Sequence, residues 1–165
     1  MKEDLLRISV ITPNYNYSNF ISDAIKSVID QNYHNYEHII VDDGSTDNSI
    51  SIIKSYISRS NGHLKLTCTS NQGQTKALNY ALTQVSGDII CWLNSDDKFC
   101  EGAFETINNE FKKCPQAEAI FGDIFIIDSQ NKILKKLKYL KFDYLSGVFN
   151  GFGKIIPSNA IFWRS

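Results

Sequence analysis

The chain has 165 residues, 42% of them hydrophobic and 12% aromatic, which suits one globular domain with a real core and excludes a disordered or low-complexity chain. Seventeen Lys and Arg against eighteen Asp and Glu give a net charge of -1, so neither a basic nucleic-acid-binding face nor an acidic tail is indicated. Ile8 to Thr12 reads as a strand. After it, Phe20, Ile21, Ala24, Ile25, Val28 and Ile29 form a stripe of helical period, with Ser18 the expected N-cap. Tyr36 to Val41 is a second strand, and Ile50, Ile53, Tyr56 and Ile57 mark a second helix capped by Thr46 or Asp47. Leu64 to Thr69 is a third strand. Thr75 to Val85 is a third helix, with Ala77, Leu78, Ala81 and Leu82 inward, and Asp88 to Leu93 is a fourth strand. A further helix covers Phe104 to Phe111.

Strand and helix in regular alternation predict an α/β fold, with parallel strands joined by right-handed crossovers and helices on both faces of the sheet. Beyond residue 118 the pattern turns antiparallel. Ala119 to Ile127 and Ile133 to Tyr139 read as two strands around the polar turn Asp128-Ser129-Gln130-Asn131, and Ala160 to Trp163 as a last strand. No repeat or linker marks a second domain. The opening MKEDLLRISVITP sets charges before a short apolar run that Pro13 interrupts, and this is neither a signal peptide nor a membrane span. Cys68, Cys91, Cys100 and Cys114 lack C-x-x-C spacing and read as reduced, mostly buried thiols, which implies a cytoplasmic setting. His34, His38 and His63 have no ligand spacing and read as structural or exposed.

Three polar clusters fall at the carboxyl ends of strands, where open parallel sheets bind ligands. They are Thr12-Pro13-Asn14-Tyr15-Asn16, Asp42-Asp43-Gly44-Ser45-Thr46-Asp47 and Asn94-Ser95-Asp96-Asp97. Each alone is ordinary turn chemistry. Together they set adjacent carboxylates along one sheet edge, where a divalent cation would offset their repulsion. Trp92 and Phe99, which flank the acids, read as core residues.

VITPNYN at 10–16, VDDGSTDNS at 41–49, and NQGQTKALNYAL followed by SGDIICWLNSDD, from Asn71 to Asp97, resemble in order and spacing the family 2 glycosyltransferases of the inverting GT-A type. The resemblance implies a single GT-A domain over residues 1–165, with a nucleotide-sugar-binding half at 1–100 and the start of an acceptor-side half at 101–165. It implies a nucleotide-sugar donor, a UDP-sugar, and a glycan or lipid-linked acceptor in cell-surface polysaccharide synthesis, at the inner face of the cell membrane. Pro13 and Tyr15 would line the base pocket, and Asp43 would accept a hydrogen bond from the base while Asp42 braces the loop. Asp96 would contact the ribose and Asp97 would hold Mn2+ or Mg2+. Gln74, Lys76 and Asn79, at the start of the third helix, would reach phosphate or ribose, or would be a capped surface helix. Ala77-Leu78-Asn79 stands where many relatives carry A-R-N, so an arginine contact is missing or is replaced by Lys76.

The family's general base is a carboxylate in an E-D or D-D motif well beyond the metal-binding acids. Ile155 to Arg164 resembles the strand before that region, and no Asp or Glu follows Asp143, so the base is expected beyond Ser165. On that reading the chain is truncated, its last strand lacks a partner and exposes Ile161, Phe162 and Trp163, and a nucleotide-sugar-binding fragment without transfer activity is the alternative. A nucleotidyltransferase would need a glycine-rich basic loop where this chain has PNYNYSNF. A D-x-D-G-T phosphatase would need an aspartate where Gly44 stands.

Overall fold

The structure is a computed structural model that describes residues 5–139 and 160–165. Residues 140–159, which include Asp143 and the first part of the segment Ile155 to Arg164, lie outside the described residues, as do residues 1–4. Strands β1 (Ile8–Asn14) and β2 (Tyr36–Asp42) are buried along their whole length. Near-continuous apolar runs of this kind form where a parallel sheet is covered on both faces. With β3 (Leu64–Cys68) and β4 (Ile89–Trp92) they make the parallel part of a six-stranded sheet, which β5 (Ala119–Phe121) and β8 (Ile161–Arg164) complete in the order β3-β2-β1-β4-β8-β5.

Helices pack on both faces because the strands alternate. Ile8, Val10, Ile40 and Cys91 face α1 (Ile21–Ile29), α2 (Ser49–Ile57) and α4 (Ala103–Lys113), while Ile11, Ile39, Val41 and Trp92 face α3 (Gln74–Leu82). Phe104 and Phe111 are wholly buried on the first face, and Phe99 meets Phe104 edge-on at 5.2 Å. The three helical stripes overreach by one residue each. Phe20, Ile57 and Leu82 sit at helix ends and are exposed, because those ends run past the strands they cover.

Neither expected cap lies where it was read. Phe20 occupies the position before α1, and the Ser18 N–H donates to Asp47 Oδ2 at 2.9 Å. Asn48 occupies the position before α2, but Asp47 still supplies the acceptor, its Oδ1 receiving the Ser49 N–H at 2.9 Å. Three of the four free cysteines are exposed; Cys91 alone is buried, and burial pushes its thiol up. His38 is buried and hydrogen-bonded to Thr12, and burial holds its imidazole down at about 3, so it is a neutral core residue.

Ala119 to Ile127 is two strands. β5 (Ala119–Phe121) joins the main sheet, and β6 (Ile124–Ile127) leaves it at Gly122-Asp123 to pair antiparallel with β7 (Ile133–Leu137) as a separate hairpin. The last strand, β8 (Ile161–Arg164), is inserted antiparallel between β4 and β5, which buries Phe162 to 5% exposure. The expected exposure of Phe162 is therefore overturned: β5, which precedes β8 in the chain, covers its far edge.

Candidate active site

β2 and β3 lie on one side of β1 and β4 on the other, so the ends of β1 and β4 flank the point where strand order reverses. Such a point opens a crevice that helices and loops do not fill. A cleft of about 260 Å³ opens there, lined by Pro13, Tyr17, Gln74, Asn94, Ser95 and Asp96. Pro13, Gln74 and Asp96 are expected site residues. Tyr17, Asn94 and Ser95 were not expected as pocket lining.

Ser95 is 3% exposed and its Oγ donates to the Pro13 carbonyl at 3.0 Å. This bond fastens the turn that carries the two acids to the end of β1, across 82 residues of chain. Asp96 is exposed at the cleft, and Asp97 is half-buried, its Oδ2 receiving the Asn94 amide at 2.8 Å. Among the described residues no group of three His, Cys, Asp or Glu side chains forms a metal cage. The donor set here is two adjacent carboxylates of hard oxygen, which fits Mg2+ or Mn2+ completed by waters and substrate phosphates, not an all-protein site.

The DDGS segment is a brace. Asp42 is wholly buried; its Oδ1 accepts the Ser45 N–H at 2.8 Å, and its Oδ2 accepts Asn14 Nδ2 and Ser45 Oγ, each at 2.7 Å. Asn16, in the left-handed region at φ 59°, receives the Thr46 N–H on its Oδ1 at 2.8 Å and ties the loop after β1 to the same segment. Gly44 is required on two counts. Its φ is +80°, and a Cβ there would lie 2.9 Å from the Asn71 backbone nitrogen.

Asp43 is 3% exposed and its carboxylate is spent on the loop before α3. Oδ1 accepts the Thr69 hydroxyl (3.2 Å) and the Gln72 N–H (3.0 Å); Oδ2 accepts the Gly73 N–H at 2.7 Å and shares the Gln72 N–H at 3.1 Å. Three donors of its own chain thus engage the two oxygens, which offer about four acceptor positions. Lying at the start of α3, the carboxylate also gains from the helix dipole. Lys76 Nζ turns back to Gln72 at 3.1 Å, while Asn79 and Tyr15 are exposed and outside the cleft lining.

Residues 9–165 match the sequence model of glycosyl transferase family 2. The chain belongs to this family. A glycosyltransferase of Nostoc sp. is 33% identical over 78% of this chain, which spans 40% of that relative. TuaG of Bacillus subtilis, provisionally assigned to teichuronic acid biosynthesis, is 38% identical over 59% of this chain and 39% of its own length. Among solved structures, TarS 1-349 of S. aureus in complex with UDP-GlcNAc superposes with a TM-score of 0.65 at 27% identity, covering 70% of this chain and 34% of that one. A Pyrobaculum calidifontis mannosyltransferase solved with GDP-Man and Mn2+ shares the fold, with a TM-score of 0.61 at 24% identity over 76% of this chain and 36% of its own. The chain thus spans less than half of each of these proteins, and its fold is that of the GT-A glycosyltransferases.

The hold of Asp43 on the loop before α3 gives a test within this family 2 domain. Asp43→Asn replaces two acceptor oxygens by one and turns a donor toward the Gln72 and Gly73 amides, at a cost of about 1–3 kcal/mol. Urea unfolding is expected to show that loss, and hydrogen exchange to show faster exchange at Gln72 and Gly73 first. If UDP affinity falls in the variant while both amides stay protected, Asp43 meets the base directly and the brace reading is wrong.

Proposed function

We propose that this chain binds a nucleotide-sugar donor, a UDP-sugar, in the cleft between the ends of β1 and β4 and takes part in its transfer to a glycan or lipid-linked acceptor in cell-surface polysaccharide synthesis. Residues 1–100 form the donor half, and residues 101–165 belong to the acceptor side. The observation that carries this reading is the Ser95–Pro13 bond, which presses an acid-bearing turn against the wall of a switch-point cleft. Family membership supports it, as do the UDP-GlcNAc complex of TarS and the teichuronic acid assignment of TuaG. The proposed setting is the cytoplasmic side of the cell membrane, where a nucleotide sugar and a lipid-linked acceptor meet. Among the described residues no helix is long and apolar enough to cross a membrane.

In this reading Pro13 and the exposed aromatic rings of Tyr15 and Tyr17 receive the base, and Asp43 acts one step back by holding the loop that presents Gln74. Asp96 reaches the ribose and Asp97 holds Mn2+ or Mg2+, with Asn94 orienting the Asp97 carboxylate through its amide. When bound, the cation offsets the negative charge that grows on the departing diphosphate.

Calorimetric titration of UDP and GDP, each with Mn2+ and with EDTA, tests the assignment. UDP is expected to bind at least about tenfold more tightly with metal than with EDTA, an increment of about 1.4 kcal/mol, and more tightly than GDP. Equal affinity under both conditions would remove the metal from the proposal.

A further inference from the structure

The Ser95–Pro13 bond fixes the entry to the turn that carries Asp96 and Asp97, and a second set of contacts, from α1, fixes its exit. Ser27, in the last turn of α1, and Gln31, just past its end, stand four residues apart and so share one side of the helix. Both reach the segment that follows the acids. Ser27 Oγ accepts the Phe99 N–H at 3.1 Å while it donates to the Ala24 carbonyl at 2.8 Å. Gln31 is 6% exposed, and three backbone groups share its carboxamide. Its Nε2 donates to the carbonyls of Ser27 and Cys100, each at 2.9 Å, and its Oε1 accepts the Phe104 N–H near the start of α4 at 3.3 Å. Only Asp96, Asp97 and Lys98 lie between the two fixed points.

Backbone shielded from water needs hydrogen-bond partners wherever it leaves helix and strand, and that need by itself accounts for some contacts here. It does not require them to come from two side chains of another helix, gripping successive residues just past the acids. A cation does ask for such a grip. Mg2+ or Mn2+ takes only one or two protein carboxylates, so a shift of about 0.5 Å in the backbone that carries them takes the site off its productive geometry. We propose that Ser27 and Gln31 are positioning residues that hold the Asp96-Asp97 turn in place for its divalent cation, an inference that rests on the assignment of the metal to Asp97. The place of α1 in the fold suits this role. It follows the loop whose Pro13 and Tyr17 line the cleft, so one helix ties the nucleotide wall to the metal turn.

Mn2+ binding to the chain saturated with UDP, followed by electron paramagnetic resonance of the free ion, is the test. Ser27→Ala removes the bond to Phe99, and Gln31→Met keeps the side-chain length while it removes all three bonds of the carboxamide. Each is expected to weaken Mn2+ binding by about tenfold, the lower end of what is lost when a group behind a metal ligand is removed. Ser27→Thr, which keeps the hydroxyl, should retain it. Hydrogen exchange at the Phe99 amide should quicken in Ser27→Ala. A merely structural role would lower the urea midpoint and leave the Mn2+ affinity of the folded chain as it was. That result in Ser27→Ala, which deletes a single half-buried hydroxyl and so leaves the core intact, overturns the proposal. Equal loss in Ser27→Thr and Ser27→Ala overturns it too, in favour of packing. Asp97→Ala keeps the two readings apart: if it binds Mn2+ as wild type does, the metal assignment falls and this proposal with it. If it loses Mn2+ while Ser27→Ala and Gln31→Met keep it, the proposal alone fails.

Discussion

Glu37→Ala is expected to lower the stability of the domain by about 3 kcal/mol at neutral pH and to leave UDP affinity unchanged in the folded fraction. The side chain is 1% exposed at the start of β2, on the sheet edge opposite the cleft. Its Oε1 accepts the Ser9 hydroxyl (2.7 Å), the Ser86 N–H (2.7 Å) and the Ser86 hydroxyl (2.8 Å); its Oε2 accepts Lys65 Nζ at 2.9 Å, with Arg7 at 3.5 Å. Lys65 and Arg7 are 56% and 42% exposed and return to water when the carboxylate goes, so no buried cation is stranded. The loss comes instead chiefly from the buried Ser9 hydroxyl, left without its acceptor at about 1–3 kcal/mol, and from the bonds to Ser86, which is exposed and regains part of them from water, less the desolvation that the carboxylate no longer suffers. Gln is expected to recover part of this, because it keeps an acceptor oxygen and the side-chain volume.

The pH dependence follows from the same contacts. Burial pushes the Glu37 carboxyl up, but the hydrogen bonds from Lys65, Ser9 and Ser86 outweigh it and hold the group at about 2, against an ordinary 4.5. A carboxylate depressed by folding stabilises the native state above its unfolded value and ceases to do so as pH falls toward its folded value. Its contribution of about 3 kcal/mol is therefore whole above about pH 5 and lost between about 4.5 and 2. Urea midpoints of wild type and Glu37→Ala should differ most near pH 7 and converge across that window. A gap that stays constant down to pH 3 would mean that packing, not charge, makes Glu37 valuable.

Asp97→Ala is expected to abolish the metal-dependent part of UDP binding, so that titrations with Mn2+ and with EDTA coincide. The cost to folding should be small, about 1 kcal/mol, because the Asn94 amide that Oδ2 accepts lies in an accessible turn where water can replace it. Asp97→Asn is the sharper control: it keeps the volume but removes the charge, and a hard cation prefers carboxylate oxygen. Asp96→Ala should weaken UDP with and without metal alike if it serves the ribose. A metal increment retained in Asp97→Ala and lost in Asp96→Ala would exchange the two roles.

The strand-helix order through α4 was legible in the residues, as were the acids at a strand end and the stripe positions Ile21, Ala24, Ile25, Val28 and Ile53, all wholly buried. These follow from the spacing of apolar side chains within ten or so residues, which depends only on local backbone geometry. The family motifs added the GT-A expectation. What failed were readings that depend on partners distant in the chain. Asp42 and Asp43 are neighbours of one chemical type, and nothing local says that the second is held by Gln72 and Gly73, some 30 residues on. Ser95 looked like turn material until the sheet brought the end of β1 beside it. The break within Ala119 to Ile127 is a different case: Gly122-Asp123 is a local turn signal that the reading as one strand passed over, and there the chain leaves one sheet for another. Local sequence thus determined which segments are strands and helices and which strand ends carry acids. Tertiary structure alone decided the place of β8 between β4 and β5, the cleft lining and the partners of each carboxylate, because hydrogen bonds across a sheet join residues whose separation in sequence is set by strand order and not by side-chain pattern.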